Sequence, residues 1–304
     1  VLVAGGLGGA VWLGKSYLDE RWSDRALREQ MAAASRQAAS LPAASVTACD
    51  LQVEHDDSRL AIAADLRLVN RTPGRLDSLL FSLNPGLSVS AATVDGRPAD
   101  RRRDLQLLYV HPQGGLAPGD SCRVQLSYEG AIDERAAYLD IEAERLEQVP
   151  RFWLFRLPKQ YAFVSRDYLH LTPEVGWYPV SGVPTGAAFP EAGHRDYTMY
   201  STRLQVPPGW QAFSQGAVHI DSSTAAHEYR FRSDVPLPQI SLTAGPYSQR
   251  QIRVDDATYT LAVLPGHEYF DTYLDSLDGV LPELIGELRN DYEAALGLDY
   301  PYSR

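Results

Sequence analysis

The fold of this chain is decided by residues 51–70, which read Leu51-Gln52-Val53-Glu54-His55, then Asp56-Asp57-Ser58-Arg59, then Leu60-Ala61-Ile62-Ala63-Ala64-Asp65-Leu66-Arg67-Leu68-Val69-Asn70. Apolar and polar side chains alternate in the first and last of these runs, which gives each run one apolar face. This period of two is typical of a half-buried β-strand. The acidic and polar residues between the runs favour a turn. The stretch therefore predicts an antiparallel hairpin with one apolar side.

The same pattern continues outward from this hairpin to about residue 250. Short apolar runs are separated by turn-forming segments such as Asn84-Pro85-Gly86, Asp95-Gly96 and Pro118-Gly119-Asp120. The Asp-Gly pair is a strong hairpin signal. Short strands at this spacing indicate antiparallel sheets that pack face to face. We therefore expect a mainly β chain, with an antiparallel β-sandwich over residues 45–250.

The composition limits the classes of partner. The 304 residues include 28 Lys and Arg against 39 Asp and Glu, a formal net charge of −11. Because a nucleic-acid-binding face is basic, this balance argues against a nucleic-acid partner. The basic cluster Arg101-Arg102-Arg103 is flanked by Asp100 and Asp104. We expect it to form a solvated hairpin tip.

Residues 1–14 carry no charge and include Gly5 and Gly9 at the spacing that lets membrane helices approach closely. A helix needs about 20 apolar residues to span a bilayer. Since the chain does not start with Met, we expect residues 1–14 to be part of a transmembrane helix; a signal-peptide core is the alternative. Residues 15–42 predict a helical stalk, which Leu41-Pro42 would end.

Residues 251–304 predict a pair of strands followed by a long helix. Apolar side chains recur at spacings of three and four from about Tyr269 to Leu296, which predicts one broad apolar stripe. Its members are Phe270, Tyr273, Leu274, Leu277, Leu281, Leu284, Ile285, Leu288 and Tyr292. Pro282 lies inside the pattern and is expected to kink or divide the helix.

Side chains suited to catalysis are scattered. No two of the seven histidines lie four residues apart, the helical spacing that places two imidazoles on one metal. The motif His-Glu-x-x-His is absent from the sequence, and so is the Gly-x-Ser-x-Gly nucleophile elbow. We therefore expect no catalytic residue, no metal ligand and no cofactor in these 304 residues.

Two cysteines, Cys49 and Cys122, lie in separate strand-like runs. In an oxidising compartment they could form a disulfide that closes a long loop. Two buried free thiols are the alternative, and the sequence leaves both open.

Several motifs, taken in order, resemble one enzyme family. They are Val124-x-Leu126-x-Tyr128-x-Gly130-x-Ile132, Trp177-Tyr178-Pro179, Pro207-Pro208-Gly209-Trp210, Ser214-Gln215-Gly216 and Gly245-Pro246-Tyr247. The end of the chain, Gly297-Leu298-Asp299-Tyr300-Pro301, resembles the segment just before that family's zinc site. The order is similar to that in the N-terminal β domain of the alanyl aminopeptidase/leukotriene hydrolase family of zinc metallopeptidases, the gluzincins.

This resemblance implies a saddle-like β domain, followed at residues 251–304 by the first strands and helix of a thermolysin-like α/β domain that is truncated before the zinc motif. Zinc would then belong to the parent protein. The apolar amino terminus fits a membrane-anchored or transporter-permease-fused bacterial member of the family. The expected location is a bacterial inner membrane, with the β domain on the periplasmic or extracellular side.

The resemblance also implies a region that faces substrate. In the family, a loop of the β domain enters the cleft, and an acidic residue or Gln there helps to hold the free amino terminus of the substrate. The corresponding candidates in this chain are Tyr168, His170, Glu174, Trp177 and Tyr178. A carboxylate or an aromatic face would suit an ammonium group. Because this region departs from the family's Gln/Glu pattern, the alternative is that Trp177 and Tyr178 are core aromatics and Glu174 is a turn residue.

Two functions follow from these expectations. The first is an extracytoplasmic scaffold and substrate-cleft domain of a membrane-anchored zinc aminopeptidase-like protein. The second is a non-catalytic binding or assembly module of a membrane transporter complex, since a fold alone does not confer a function. The expected partners are the remainder of the parent chain, with its catalytic domain and membrane helices, the membrane through residues 1–14, and a peptide substrate.

Overall fold

The computed structural model describes residues 23–141, 160–184, 196–222, 226–255, 257–266 and 279–299. The chain divides into two compact units. The first comprises residues 1–208 and 212–243, and the second comprises residues 209–211 and 244–304. The first unit contains most of the strands, which confirms the mainly β fold class.

An eight-stranded sheet is the largest element of the first unit. Its order is β14-β15-β12-β1-β2-β8-β4-β5. The strands are β1 (Ser45–Asp56), β2 (Arg59–Val69), β4 (Leu87–Val94), β5 (Arg97–Pro98), β8 (Ser121–Gly130), β12 (Met199–Val206), β14 (Ala217–Asp221) and β15 (His227–Arg232). The hairpin predicted for residues 51–70 is the antiparallel pair β1 and β2. β1 also pairs with β12 in parallel, which the expectation of purely antiparallel sheets did not include.

Two four-stranded sheets accompany it. One has the order β11-β3-β7-β6, and the other has the order β13-β16-β10-β9. Their strands are β3 (Leu79–Ser82), β6 (Asp100–Asp104), β7 (Leu107–His111), β9 (Ala162–Val164), β10 (Leu169–Leu171), β11 (Val180–Ser181), β13 (Gln211–Ser214) and β16 (Leu242–Gly245).

Alternating burial along the central strands forms the core. In β8, Val124, Leu126 and Tyr128 are buried, whereas the residues between them are exposed. β2 alternates in the same way, with Leu66 and its neighbours two residues away facing inward. Each fully buried aliphatic side chain contributes about 1.5–3 kcal/mol relative to an exposed one. The apolar face predicted from the period of two in the sequence is therefore the buried face of this sheet.

The two cysteines are free and buried, so the disulfide that the sequence left open is not formed. Cys49 lies opposite Leu66 of β2, and Cys122 lies opposite Leu68 on the other edge of the same strand. Because β2 separates the two strands and the cysteines are offset by two residues along it, the Cα atoms are more than two strand spacings, roughly 12 Å, apart. A disulfide requires a Cα separation below about 7 Å. Burial, followed by the charge of Asp95, raises the pKa of Cys122 to about 11.

Helix α1 comprises residues 23–38, within the segment predicted as a stalk. It packs against the β domain. Its buried Ala38, with the following Ala39, packs against Leu80, Leu107 and Val183. The buried Gln106 amide donates to the Met31 carbonyl and to Ser35 Oγ, both at 2.7 Å. Small side chains on this face of α1 allow the helix to approach the sheet closely. Residues 15–22 of the predicted stalk lie outside the described residues.

Arg28 of α1 forms hydrogen bonds with the loop at residues 133–141. Its guanidinium donates to the carbonyls of Arg135 at 2.9 Å and Ile141 at 3.3 Å, and also to those of Ala137 and Tyr138. Tyr138 has a φ of 50°, which is uncommon for a residue with a side chain. One cation therefore satisfies four carbonyls of a strained turn.

The cluster Arg101-Arg102-Arg103 lies on strand β6, and the expected solvated hairpin tip is wrong for Arg103. Arg103 donates to the carbonyls of Leu83 at 2.6 Å and Asn84 at 2.7 Å, and burial lowers its pKa to about 10. The Arg102 guanidinium lies 4.2 Å from the ring centroid of Tyr109, a cation–π contact. The cluster thus stabilises the fold.

The second unit contains the antiparallel hairpin β17 (Ser248–Val254) and β18 (Ala257–Val263), followed by helix α2 (Leu281–Leu296). Pro282 lies in the first turn of α2, where the missing N–H costs nothing, so it divides the predicted pattern. Gly297, with a φ of 65°, ends the helix as the C-cap. Residues 267–278 of the predicted stripe lie outside the described residues.

Within the described ranges, no helix has both the length and the apolar character needed to cross a membrane. The predicted anchor at residues 1–14 lies outside those ranges. The domain boundaries at residues 15–42, 45–250 and 251–304 stay predictions.

A buried aromatic cluster connects the large sheet to the segment that follows β10. Tyr178 packs edge-on against Trp177 at 4.8 Å and against Tyr200 of β12 at 5.6 Å between ring centroids. The Tyr178 hydroxyl accepts a hydrogen bond from the Ile240 amide at 3.1 Å. The Tyr128 hydroxyl of β8 donates to the Trp177 carbonyl at 3.3 Å. Strands β8 and β12 are therefore joined to residues 177–178 by both packing and hydrogen bonds.

We predict that Arg28→Ala lowers the free energy of unfolding by roughly 2 kcal/mol, because it leaves several partly buried carbonyls without their charged donor. Arg25→Ala is the matched control on the same helix. Arg25 forms an exposed ion pair with Glu29, and its loss is expected to cost no more than about 0.5 kcal/mol. Urea denaturation measures the free energy of unfolding of both variants. An equal decrease in the two variants would contradict a stabilising role of the Arg28 hydrogen bonds.

The buried hydroxyl of Tyr200 makes stability depend on alkaline pH. Burial, followed by the nearby Cys49, raises the pKa of Tyr200 from 10.0 to about 12. Between these values the folded chain keeps a proton that the unfolded chain releases, so this contribution is complete below pH 10 and is lost as pH rises towards 12. Tyr200→Phe removes it. We expect the wild type to lose roughly 1–3 kcal/mol more than the variant over this window. Urea denaturation at each pH measures the free energy of unfolding of both proteins. An equal decrease in wild type and variant from pH 10 to 12 would refute this.

Candidate functional site

Strands β9 and β10 and the turn after them carry most of the residues expected to face substrate. The two strands form a short antiparallel hairpin in which His170 lies opposite Phe163. Ser165 closes its end, because the amide and the hydroxyl of Ser165 both donate to the Tyr168 carbonyl at 3.1 Å. These two hydrogen bonds fix the position of the Tyr168 backbone at the end of the hairpin.

A half-buried aromatic surface lies on this hairpin. The ring of Phe163 is 5.6 Å from that of Tyr168 and 6.4 Å from that of His170. All three side chains are intermediate in exposure. They form a continuous aromatic surface that remains accessible to solvent, which is the character expected of a face that contacts a ligand.

His170 is held in place by a second strand. Its Nδ1 lies 2.8 Å from the hydroxyl of Thr243 on β16. Burial lowers the pKa of His170, so the imidazole is neutral at pH 7. A neutral, anchored imidazole contributes a polar edge and an aromatic face rather than a positive charge.

Glu174 lies in a 3-10 turn, Pro173–Val175, that ends at Gly176 with a φ of 64°. Burial, and next the charge of Glu174, raise the pKa of Tyr138. The rings of Tyr138 and Tyr161 pack edge-on at 5.0 Å between centroids. The turn that carries Glu174 is joined to Tyr161, because the hydroxyl of Thr172, the residue before this turn, donates to the Tyr161 carbonyl at 3.1 Å.

A set of hydrogen bonds from Asn84 and Glu134 positions this region. The buried Asn84 amide donates to the carbonyls of Val175 at 2.7 Å and Asp133 at 3.0 Å. The Glu134 carboxylate accepts the Tyr161 amide at 2.8 Å. Neither residue was expected at the site. Asn84 was visible in the sequence only as part of an Asn-Pro-Gly turn, and its partners are up to 91 residues away.

The structure separates the five predicted substrate-facing residues into two groups. Tyr168 and His170 are partly exposed members of the aromatic surface, and Glu174 is partly exposed in the turn after β10. Trp177 and Tyr178 are buried, which is the alternative that the sequence left open. Tyr178 lines a cavity of about 110 Å³ together with Tyr200, Thr198 and several prolines. The sequence did not single out Phe163 of the aromatic surface or the separate ring pair of Tyr138 and Tyr161.

Within the described ranges, no group of three or more His, Cys, Asp or Glu side chains is arranged to hold a metal ion. His194 and His267 lie outside those ranges. The zinc expected for the parent protein therefore has no ligand set among the described residues.

Solved structures provide the comparison with known proteins. No protein-family model and no curated protein sequence matches the chain. An M1 zinc metallopeptidase from Deinococcus radiodurans superposes with a TM-score of 0.53 at 18% identity, over 75% of this chain and 49% of the other. A mutant of that enzyme bound to a Tyr-Ser-Ala substrate gives a TM-score of 0.52 at 18% identity, over 74% and 51%. A third structure of the mutant gives 0.51 at 19% identity, over 72% and 46%.

The chain thus spans about half the length of the solved chains that it matches. At this level of identity the likeness concerns the fold. It agrees with the fold expected from the sequence, a β domain of the kind found in zinc aminopeptidases, and the solved neighbours are themselves zinc enzymes. Over about three quarters of its length, this chain has the fold of the M1 zinc metallopeptidases.

Proposed function

We propose that this chain is a peptidase-like scaffold, and that the aromatic surface with Glu174 forms one wall of a substrate cleft in a zinc aminopeptidase-like parent protein. The observation that carries the proposal is the position of the partly exposed Glu174 in the turn after β10, which Thr172 joins to Tyr161, whose ring packs against that of Tyr138. The ligand that this wall suits is the free amino terminus of a peptide.

The chemistry of the wall supports a cationic ligand. A carboxylate accepts charge-assisted hydrogen bonds from an ammonium group, and such bonds are about twice as strong as neutral ones. Phenol faces attract a cation by about 0.5–2 kcal/mol, depending on desolvation. Glu174 is partly exposed, which suits a carboxylate that contacts a ligand.

The neighbouring residues would keep the wall rigid. Asn84 fixes the turn that carries Glu174, and Glu134 fixes Tyr161, the residue before β9. A preorganised wall loses less conformational entropy when it binds a ligand. Zinc, when bound in a parent enzyme, would activate water for hydrolysis. The described residues contribute binding and orientation.

The alternative is a non-catalytic binding or assembly module of a membrane transporter complex. It stands beside the first proposal because a fold alone does not confer a function. The parent gene beyond Arg304 separates the two. An intact zinc motif, with Gly-x-Met-Glu-Asn some distance before it, supports the enzyme. Its absence there supports the binding module.

Membrane attachment through residues 1–14 is part of both proposals. Support comes from fourteen consecutive uncharged residues with glycines four apart. The proposed location is a bacterial inner membrane, with the β domain on the periplasmic or extracellular side. Extraction of native membranes with alkaline carbonate tests this, because an anchored parent stays in the pellet and a peripheral one is released.

We predict that the chain binds a short peptide with a free amino terminus at least about fivefold more tightly than the N-acetylated peptide, since acetylation removes the charge that Glu174 pairs with. The tripeptide Ala-Ala-Ala and its acetyl form serve as probes, with affinities from NMR titration. Glu174→Gln should abolish the preference.

Glu129→Gln is the matched control, because Glu129 is an exposed carboxylate on β8. It should leave the preference intact. Equal binding of both peptides by the wild type, or an unchanged preference in Glu174→Gln, would count against the proposed wall.

A further inference from the structure

The segment that carries the proposed wall is held at both ends by side chains that lie outside it. We call residues 161–175 the wall segment, because they include β9, β10 and the turn after β10. At its first residue, the Tyr161 amide donates to the Glu134 carboxylate at 2.8 Å. At its last residue, the Val175 carbonyl accepts the side-chain amide of Asn84 at 2.7 Å. The position of the wall segment therefore depends on Glu134 and Asn84.

Glu134 belongs to the loop at residues 133–141, and helix α1 holds this loop. The Arg28 guanidinium of α1 donates to four main-chain carbonyls of the loop. Arg135 of the loop also pairs with Asp24 near the start of α1, at 2.8 Å between Nη1 and Oδ1. Because the Arg28 contacts are partly buried and the Asp24 pair is exposed, Arg28 makes the stronger connection.

The turn at Tyr138 makes the conformation of this loop depend on Arg28. Tyr138 has a φ of 50°, and such a conformation persists at a residue with a side chain only where the surrounding contacts enforce it. Arg28 donates to the carbonyls of both Ala137 and Tyr138. The Tyr138 ring packs against the ring of Tyr161, the first residue of the wall segment, at 5.0 Å between centroids. Loss of the guanidinium therefore allows the turn to relax and moves the Tyr138 ring away from the wall segment.

A second set of contacts joins α1 to the other end of the wall segment. The buried side-chain amide of Gln106 donates to two oxygen atoms of α1, both at 2.7 Å. The Gln106 carbonyl accepts the amide of Leu83 at 2.9 Å, next to Asn84. The Asn84 side chain donates to the Asp133 carbonyl of the loop at 3.0 Å as well as to the end of the wall segment. Both sets of contacts that start at α1 thus end at the wall segment.

We propose that α1 is a positioning element of the substrate wall, and that Arg28 is the positioning residue through which docking of α1 sets the affinity of the wall for a peptide amino terminus. This inference rests on the proposed function, which assigns the peptide to residues of the wall segment. Arg28 acts through the loop at residues 133–141 and needs no contact with the peptide. A change that lifts α1 from this loop therefore weakens peptide binding while the wall keeps all of its own side chains.

Positioning differs from general stabilisation in what it changes. A substitution that only destabilises the fold raises the unfolded fraction and leaves the folded wall as it was. Loss of Arg28 alters the folded state itself, because the turn at Tyr138 relaxes. Two variants that are both folded and similarly destabilised therefore separate the two roles.

Amide hydrogen exchange tests the positioning without any peptide. Arg28→Ala is compared with Val53→Ala, which removes two methyl groups from the buried face of β1 and leaves the loop contacts in place. We expect the Tyr161 amide to exchange about tenfold faster in Arg28→Ala than in Val53→Ala, since only the first variant loosens the loop that carries its acceptor. Thermal melting shows that both variants are folded and measures how far each is destabilised.

Peptide binding tests the consequence for the wall. With Ala-Ala-Ala as the probe in an NMR titration, Arg28→Ala should bind at least about threefold more weakly than the wild type, because a less ordered wall loses more conformational entropy on binding. Val53→Ala should keep the affinity of the wild type. Arg28→Lys keeps a positive charge but has fewer donors, so its affinity should lie between those of Arg28→Ala and the wild type.

The two measurements fail separately. Equal exchange at Tyr161 in Arg28→Ala and Val53→Ala overturns the proposal, whatever the peptide does. Wild-type affinity in Arg28→Ala, or an equal loss of affinity in Val53→Ala, also overturns it. If the wild type binds free and acetylated peptide equally, the proposed function is contradicted instead, and exchange at Tyr161 alone then decides whether Arg28 positions the wall segment.

Discussion

The contact between the buried aromatic rings around Tyr178 is the constraint on which the rest of the first unit depends. Tyr178 contacts Trp177 on one side and Tyr200 on the other, and its hydroxyl accepts the Ile240 amide. Burying aromatic rings of this size contributes several kcal/mol, and the edge-on contacts add about 0.5–1.5 kcal/mol each. The cluster holds together segments that are far apart in sequence. The turn that carries Glu174 is placed by its attachment to this cluster.

Polar side chains complete the positioning from the outside. Arg28, Asn84, Gln106 and Arg103 each donate to main-chain carbonyls of distant segments. A buried carbonyl without a partner costs about 1–3 kcal/mol, so these donors decide which loop conformations are stable. Helix α1 is tied through Arg28 to the loop at residues 133–141. That loop contacts strand β9 through Glu134 and Tyr161, so α1 and the proposed substrate wall share one continuous set of contacts.

The sequence predicted the local parts of this structure and left out the distant ones. The alternation in residues 51–70 predicted β1, β2 and their inward face, because side-chain period is a local property. The parallel pairing of β1 with β12 joins residues about 150 positions apart, and no local pattern encodes it. The same limit explains why Arg103 was expected in solvent, since its acceptors lie up to 20 residues away. Among the site residues, the sequence pattern did not distinguish the partly exposed Tyr168, His170 and Glu174 from the buried Trp177 and Tyr178.

We infer that the aromatic cluster around Tyr178 holds the proposed substrate wall in place. Amide hydrogen exchange in Tyr178→Phe tests it most directly, because loss of one hydroxyl removes the bond to Ile240 and keeps the ring. We predict that amide hydrogen exchange in this variant is about tenfold faster at Ile240 and at the β10 amides, and that the exchange rates in β1 and β2 are unchanged. Unchanged exchange in β10, or an equal increase throughout the sheet, would contradict the claim.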